Sequence, residues 1–346
     1  MNRLVTIALF AYNSEKYIVE AIEGVLSQDY TPLEVIISDD ASTDATFSII
    51  QQYAVHYVGP HKIIARKNEI NQGLCQHINT VWSLVGGEWL VVAAGDDISV
   101  SDRVSQIMRH VEANPEIQLI ASFAKIIDEA GNELGIDRMA DNSYSIATTD
   151  AYVWDLNERI NNGAPLPHGA TLAYSRVLID KFPPLPSNSI FEDNIIGFRG
   201  ELLGKCSMIR LPLISYRNHS EQITKYESSD IIKNDIKRRK LNRDGVITVG
   251  QNLVDLEYSE LEKSDAEKYA KVTDWLNLKL LYFSRFRQAL DLWWPIRLIP
   301  FILLYFSKPH FTPISRDLKA RIALPTALYF LLKKAQLGSS GGRRVG

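Results

Sequence analysis

The chain has 346 residues, 46% hydrophobic and 23% charged, enough for one large folded domain and an appendage. Its 38 basic and 41 acidic side chains leave a formal charge of −3, which argues against nucleic acid as a partner. The two cysteines, Cys75 and Cys206, are too few for a disulfide framework and lack metal-site spacing, so both are expected as buried free thiols.

Residues 4–10 form a buried-type β run closed by the polar Ala11-Tyr-Asn-Ser14. Residues 16–28 then carry Tyr17, Ile18, Ala21, Ile22, Val25 and Leu26 at helical spacing. A second short β-branched run, 33–38, ends in Asp39-Asp-Ala-Ser-Thr-Asp44, where Ser42 to Asp44 offers an N-cap to a helix over 46–53. Residues 62–66 read as a strand and 73–84 as a helix. The apolar run Trp89–Ala94 leads through Gly95 into Asp96 and Asp97. Residues 102–113 are expected as a helix capped by Ser101 and stopped before Pro115, followed by a strand over 118–127 and a turn at Asp128-Glu-Ala-Gly-Asn132. The alternation of strand and helix predicts an α/β class with a doubly wound, mostly parallel sheet.

In such a sheet, ligands bind outside the carboxyl ends of the strands. Asp96 and Asp97 would repel one another there unless a cation or hydrogen-bond donor shares them. A hard divalent cation that also takes phosphate oxygens is the natural partner; a plain Gly-Asp-Asp turn is the alternative. The acidic turn at 39–44 and the polar loop at 11–14 place three strand ends at one edge, and converging polar loops favour a site.

Four segments, Thr6-Ile-Ala-Leu-Phe-Ala-Tyr-Asn13, Asp39-Asp-Ala-Ser-Thr-Asp44, Asn71-Gln-Gly-Leu74 and Gly95-Asp-Asp97, resemble in order the motifs of family 2 glycosyltransferases with the GT-A fold. The resemblance continues to Phe191-Glu-Asp-Asn194 and Tyr216-Arg-Asn-His219, and so covers about residues 1–225. It implies inverting transfer of a sugar from a nucleoside diphosphate donor, with a UDP-sugar favoured, to a saccharide acceptor. By the same resemblance Asp193 is the catalytic base, and Glu192 orients the site or binds acceptor. Asp96 and Asp97 hold Mn²⁺ or Mg²⁺ against the diphosphate, with His219 as a further ligand and Arg217 paired to phosphate. Asp40 accepts from the nucleoside, whose pocket is lined by Phe10, Ala11, Tyr12 and Asn13. Asn71, Gly73 and Gly95 approach the nucleotide, where a glycine permits close backbone contact. On the residues alone Asp193 reads equally as a helix cap, the aromatics as core and His219 as a solvated loop residue. One departure stands out: the family's commoner metal motif has an acid two positions before Asp96, where this chain has Ala94.

Residues 137–167 are polar and weakly periodic, which in the family is an acceptor-binding interval and otherwise a surface excursion. Pro183-Pro-Leu-Pro186 is an extended spacer before Glu192. The expected organisation is a GT-A domain over 1–225, a helical, amphipathic C-terminal region over 226–337 and a tail over 338–346. The basic run 233–243 and helix-like segments over 256–286 precede the apolar 292–306, broken by Pro295, Arg297 and Pro300 and short of the ~20 residues a spanning helix needs. Its paired tryptophans and flanking cations fit an interfacial segment on an anionic membrane, where a lipid-linked acceptor would lie; a buried helix or a dimer interface is the alternative. The N-terminus shows no signal-peptide pattern, so a cytoplasmic location, peripheral on the inner face of the membrane, is expected. Two rivals differ in class. A sugar-1-phosphate nucleotidyltransferase would need a Gly-rich loop after its first strand, which Ala11-Tyr-Asn-Ser14 is not. A non-catalytic nucleotide-sugar binding or assembly subunit would survive loss of Asp193.

Overall fold

The computed structural model describes residues 2–137, 150–161, 167–219 and 231–291, with 231–242 and 284–291 as helical backbone only. In chain order the elements are β1 (Val5–Ala11), α1 (Ile18–Leu26), β2 (Leu33–Asp39), α2 (Thr46–His56), β3 (Lys62–Lys67), α3 (Leu74–Trp82) and β4 (Trp89–Ala94). They continue with β5 (Ile98–Ser99), α4 (Arg103–Ala113), β6 (Ile117–Ile127), β7 (Glu133–Asp137), β8 (Ala151–Trp154), α5 (Leu156–Asn161), a 3₁₀ turn (Gly169–Thr171), β9 (Ala173–Ser175) and α6 (Arg176–Lys181). Last come α7 (Glu192–Leu203), β10 (Lys205–Arg217), α8 (Ile231–Tyr258), α9 (Leu261–Ser264) and α10 (Ala266–Asp291).

The strands form one sheet in the order β3-β2-β1-β4-β9-β6-β10-β5, with β7 added beside β6 and β8 beside β10. β3, β2, β1 and β4 are mutually parallel, as the crossover helices α1, α2 and α3 require. β2 is buried along its whole length, and β1 nearly so, which is why both read as continuous apolar runs rather than as alternations. β9 runs antiparallel to both β4 and β6, and β6 is parallel to β10. Two core layers sandwich the sheet. One is built on Ile7, Leu9, Val35 and Val91 against α1 and α4, the other on Ala8, Ile36, Leu90 and Tyr174 against α3 and α7. Cys75 and Cys206 are buried free thiols.

The expected helix over 16–28 shortens to α1, because Tyr17 and Ile18 turn into the helix on the carbonyl of Ser14. At α2 the N-cap position is Ala45, outside the expected 42–44 and without a side-chain cap, although Asp44 Oδ1 just before it accepts the Thr46 amide at 3.0 Å. At α4 the cap expected of Ser101 is not made: the N-cap position is Asp102, without a side-chain cap. Asp102 instead accepts from Gln106 one turn on, at 2.7 Å.

The chain divides into two compact units. The first joins residues 1–225 to Gln251–Val272; the second comprises 226–250 and 273–346. Within the first, Arg199 of α7 and Asp255 of α8 form a bidentate ion pair, 2.8 and 3.0 Å, with both side chains fully buried. Among the described residues no helix is long and apolar enough to cross a membrane. The apolar segment 292–306 and the tail 338–346 lie outside the described residues.

Candidate active site

β1, β2 and β4 end side by side, with Ala11 opposite Asp39 and Phe10 opposite Ala94. The loops that follow therefore share one edge. Ala11 lends its carbonyl to the Asp40 amide at 2.9 Å, and Phe10 lends its carbonyl to Gly95 at 2.8 Å. The fit at Gly95 is close: a Cβ would stand 3.1 Å from Ser14 Oγ and 3.2 Å from Ala11 Cβ, so a side chain there would have to shift its neighbours. Asn13 adopts a positive φ of 49°. Its side-chain oxygen accepts the Thr43 amide at 2.9 Å and its own amide donates to Ser42 Oγ at 2.8 Å, so Asn13 buckles the two loops together. Tyr12 is left 49% exposed above them.

Asp39 and Asp40 are both buried. Asp39 closes its own turn by accepting the Ser42 amide and hydroxyl. Asp40 Oδ1 accepts Asn68 Nδ2 at 2.7 Å and the Gln72 amide at 2.9 Å, and Oδ2 accepts the Gly73 amide at 2.9 Å. The 68–73 loop is thus folded onto Asp40, with Asn71 Oδ1 also taking the Gly73 amide at 3.1 Å. Gly73 has a φ of 76°, which favours glycine, and it starts α3. Beneath Phe10, edge-on at 5.2 Å, lies the His77 ring, bonded to Ser38 Oγ at 2.6 Å. Burial lowers its pKa to about 4, so the ring is neutral. Arg66 donates to the same Ser38 hydroxyl at 2.6 Å.

From Val91 to Val100 burial alternates residue by residue. Ala94 and Asp96 fall on the more open side, Gly95 and Asp97 on the buried one, and the two carboxylates part company. Asp96 Oδ2 faces out to His219 Nε2 at 3.0 Å. Asp97 turns inward and its Oδ1 accepts the Arg217 amide at 2.9 Å. Burial first, then the Asp96 charge, raises its pKa well above the carboxylate range. Of the three expected metal ligands, the structure brings together Asp96 and His219 and takes Asp97 away. Among the described residues no three His, Cys, Asp or Glu side chains gather as a metal cage.

Arg217, expected to meet phosphate, is buried and committed to the protein. Nε donates to the Asp96 carbonyl at 3.0 Å, Nη1 to the carbonyl of Glu129 at 3.1 Å, and Nη2 to Glu20 Oε2 at 3.0 Å. Its guanidinium also lies 4.8 Å over the Tyr17 ring. This corrects the sequence expectation: the planar fork suited to phosphate instead clamps the β6–β7 turn and the 95–97 loop onto α1.

The donor set at Asp96 and His219 fits a divalent cation in part. An oxygen and a nitrogen 3.0 Å apart match adjacent positions around a cation with ligand distances of about 2.1 Å. His219 Nδ1 is buried without a partner among the described residues, so that nitrogen is the one left to carry the proton when Nε2 ligates. Two protein ligands leave most of the coordination shell to water and phosphate oxygens, which is how Mn²⁺ and Mg²⁺ are commonly held beside a diphosphate.

The second carboxylate pair opens α7. Glu192 and Asp193 sit in its first turn, where the helix dipole favours anions. Asp193 Oδ1 accepts the Asn194 amide at 2.7 Å and Asn194 Nδ2 at 3.0 Å. Asp193 therefore does not cap the helix, whose N-cap position is Phe191 without a side-chain cap, and its Oδ2 stays outside these bonds. Burial raises the pKa of Glu192 well above its ordinary value, with Asp193 adding repulsion; burial likewise raises Asp193, which the nearby His168 partly offsets. A pair held this way shares protons, one carboxyl staying neutral while the other ionises.

Three neighbours shape this pair that the sequence reading does not single out. The Gly169 Cα presses on Glu192: a Cβ there would come within 2.6 Å of Oε1. His168 Nε2 donates to Asp137 Oδ2 at 3.0 Å, which raises its pKa, and the ring stacks on Tyr216 with ring centroids 5.2 Å apart. Arg103 ties the 3₁₀ turn to α4 through the Ala170 carbonyl at 2.8 Å. His168 and Gly169 follow the polar interval, where His-Gly alone is weak evidence; a wholly buried arginine at a helix start has no local signature at all.

Paired carboxylates, an Asp–His pair and converging polar loops at one edge of an α/β sheet define a GT-A-type enzyme architecture. Residues 6–174, just under half of the chain, match the family model described as Glycosyl transferase family 2. A putative glycosyltransferase EpsE of Bacillus subtilis is 35% identical over 127 residues, 37% of this chain and 45% of the relative. An uncharacterized glycosyltransferase of Haemophilus influenzae is 25% identical over 308 residues, 83% of this chain and 92% of the relative. The chain covers 45% of the length of EpsE and 36% of that of an uncharacterized Mycobacterium bovis protein, to which it is 36% identical. Among solved structures, Staphylococcus aureus TarS in complex with UDP-GlcNAc aligns with a TM-score of 0.51 at 16% identity, covering 87% of this chain and 89% of that one. The mannosyltransferase PcManGT of Pyrobaculum calidifontis, in complex with GDP-Man and Mn²⁺, aligns with a TM-score of 0.51 at 16% identity, covering 90% and 82%. These two share the fold.

Proposed function

We propose that the protein is an inverting, metal-dependent glycosyltransferase that moves a sugar from a nucleoside diphosphate to a saccharide hydroxyl. The observation that carries this reading is the pair of unlike devices at one sheet edge: Asp96 with His219 at 3.0 Å, and the buried carboxylates Glu192 and Asp193 at the start of α7. The first suits a diphosphate and its cation, the second a general base. Asp193 accepts the proton of the acceptor hydroxyl as that oxygen bonds to the anomeric carbon, and the bond to the nucleoside diphosphate breaks on the opposite face. Glu192, held neutral beside it, orients the acceptor by donating a hydrogen bond. When bound at Asp96 and His219, Mn²⁺ or Mg²⁺ supplies Lewis-acid stabilisation of the departing diphosphate.

Phe10, Ala11, Tyr12 and Asn13 line the nucleoside side, with Asp40 holding Asn68, Gln72 and Gly73 against it. Asn71 and Gly95 complete the loops that approach the nucleotide. A UDP-sugar is the first donor to try, supported by the sequence resemblance and by the UDP-GlcNAc complex of TarS; the GDP-Man complex of PcManGT makes a GDP-sugar the second. A lipid-linked acceptor in surface polysaccharide synthesis, at the inner face of a membrane, rests on the Trp293-Trp294 segment, which lies outside the described residues.

The test is donor hydrolysis by the purified protein with Mn²⁺ and UDP-, GDP- and dTDP-sugars, with Asp96→Ala as control. Metal-dependent release of one nucleoside diphosphate is expected, lost in the variant. Release from no donor, without metal-dependent nucleotide binding, would replace this reading with that of a binding subunit.

A further inference from the structure

Arg103 opens α4 and is 0% exposed. Nothing in the donor or base chemistry above uses it. Its Nη1 donates to Ser99 Oγ at 3.0 Å and its Nη2 to the Ala170 carbonyl at 2.8 Å, while Nε has no partner among the described residues. A buried guanidinium with two neutral acceptors and one orphaned donor is costly unless a charge answers it. What the structure gives it is a rigid two-point link, from Ser99 of β5 to the Ala170 carbonyl, with the field of Asp97 offsetting part of the burial.

The two ends of this link reach the two halves of the site. On one side Ser99 closes β5, the short strand that follows the 95–97 loop, and β5 pairs with β10 at Ile214 and Ser215, just before Arg217 and His219. On the other, Ala170 follows Gly169, whose Cα lies against the Glu192 carboxylate. Within the turn the Thr171 amide donates to the His168 carbonyl at 2.9 Å and the Leu172 amide to the Gly169 carbonyl at 3.1 Å, while the Leu172 carbonyl accepts from Val92 of β4 at 2.9 Å. Arg103 is the side chain that reaches into it from the metal side.

We propose that Arg103 is a positioning residue: its forked guanidinium, set between Ser99 of β5 and the Ala170 carbonyl, holds the acid–base carboxylates in place relative to the diphosphate side of the site. The inference rests on the glycosyltransferase reading. A lysine has one point charge and cannot span Ser99 and Ala170 with a rigid fork. Misplacement by about 1 Å away from the chemistry costs on the order of 10²-fold in rate.

The experiment compares wild type with Arg103→Lys and Ser99→Ala by three readouts: donor hydrolysis in Mn²⁺, thermal unfolding, and amide hydrogen exchange over 168–172. Arg103→Lys is expected to lose about 10- to 100-fold in kcat, with donor KM and Mn²⁺ half-saturation within about twofold. Exchange at Thr171 and Leu172 is expected to quicken while β1 and β2 stay protected. A folded Arg103→Lys with wild-type kcat overturns the proposal, as does a parallel loss of kcat, donor affinity and metal affinity. If Arg103→Lys does not fold, Ser99→Ala removes only the Nη1 anchor; it should show the same split with a kcat loss of roughly threefold to tenfold, and wild-type kcat with unchanged exchange refutes it. Wild-type protein inert toward every donor would count against the transferase reading instead, and the exchange arm would still decide whether Arg103 holds the turn.

Discussion

Truncating Asp255 to alanine should be among the most damaging single changes in the first unit, although the residue lies well beyond the family match. Asp255 and Arg199 form a two-point ion pair with both side chains at 0% exposure, and Arg199 is flanked by Phe182 at 5.3 Å and Trp82 at 5.9 Å. Gln251 supports the carboxylate at 2.9 Å, whereas Arg199 Nη1 already lacks a partner among the described residues. Asp255→Ala therefore strands a buried cation between two aromatic rings, with no route to water. Removing one partner of a buried pair costs about 3–5 kcal/mol, against roughly 5–15 kcal/mol for a whole domain. At ~2–4 °C per kcal/mol for a unit of this size, the melting temperature should fall by about 6–20 °C. Because the pair is sealed from solvent, raising salt should change the loss little. Urea unfolding followed by tryptophan fluorescence measures it. Arg199→Met with Asp255→Leu, which removes both charges and keeps most of the volume, should recover the larger part. A loss below about 1 kcal/mol in Asp255→Ala, or a double variant as damaged as the single, would refute the argument that an unpaired buried charge sets the cost.

Gly169→Ala should cut kcat by about tenfold or more with the fold intact, because the new methyl would stand 2.6 Å from Glu192 Oε1 and must push that carboxylate aside; circular dichroism beside steady-state kinetics checks this. The acid limb of the kcat–pH profile should lie above the ordinary aspartate value of 3.8, since burial raises Asp193 and the base works only when ionised. The sign for its neighbour follows: His168 as a cation favours ionised Asp193, so His168→Gln should move that limb to still higher pH, and a shift downward would contradict the assignment.

The sheet edge was readable in the chain because strands buried on both faces leave a mark that neighbours along the sequence suffice to show. β2 begins at the residue expected, and β4 is the run Trp89–Ala94 itself. Helix ends were less legible: Ser101 and Asp102 are both good caps, and only the path of the chain out of β5 decides that neither side chain caps α4.

Within the site the division is sharper. Residue types and spacing put polar loops at three strand ends, two of them carrying carboxylates, and that is a local property, written by apolar runs stopping at Asp and Asn. What those carboxylates do is set by direction and by partners far along the chain. Asp96 and Asp97 are indistinguishable as neighbours in a sequence, yet successive side chains near a strand end point to opposite sides, so one meets His219 and the other is sealed against the Arg217 amide. Arg217 looked like a phosphate ligand because a guanidinium suits phosphate; the carbonyls of a turn some ninety residues earlier and Glu20 take it instead. Arg103, His168 and Gly169 matter only through contacts across β4, β9 and α7. Sequence order carries no record of such contacts, because the free energy that selects them comes from burial and from satisfying buried polar groups once the whole sheet has closed.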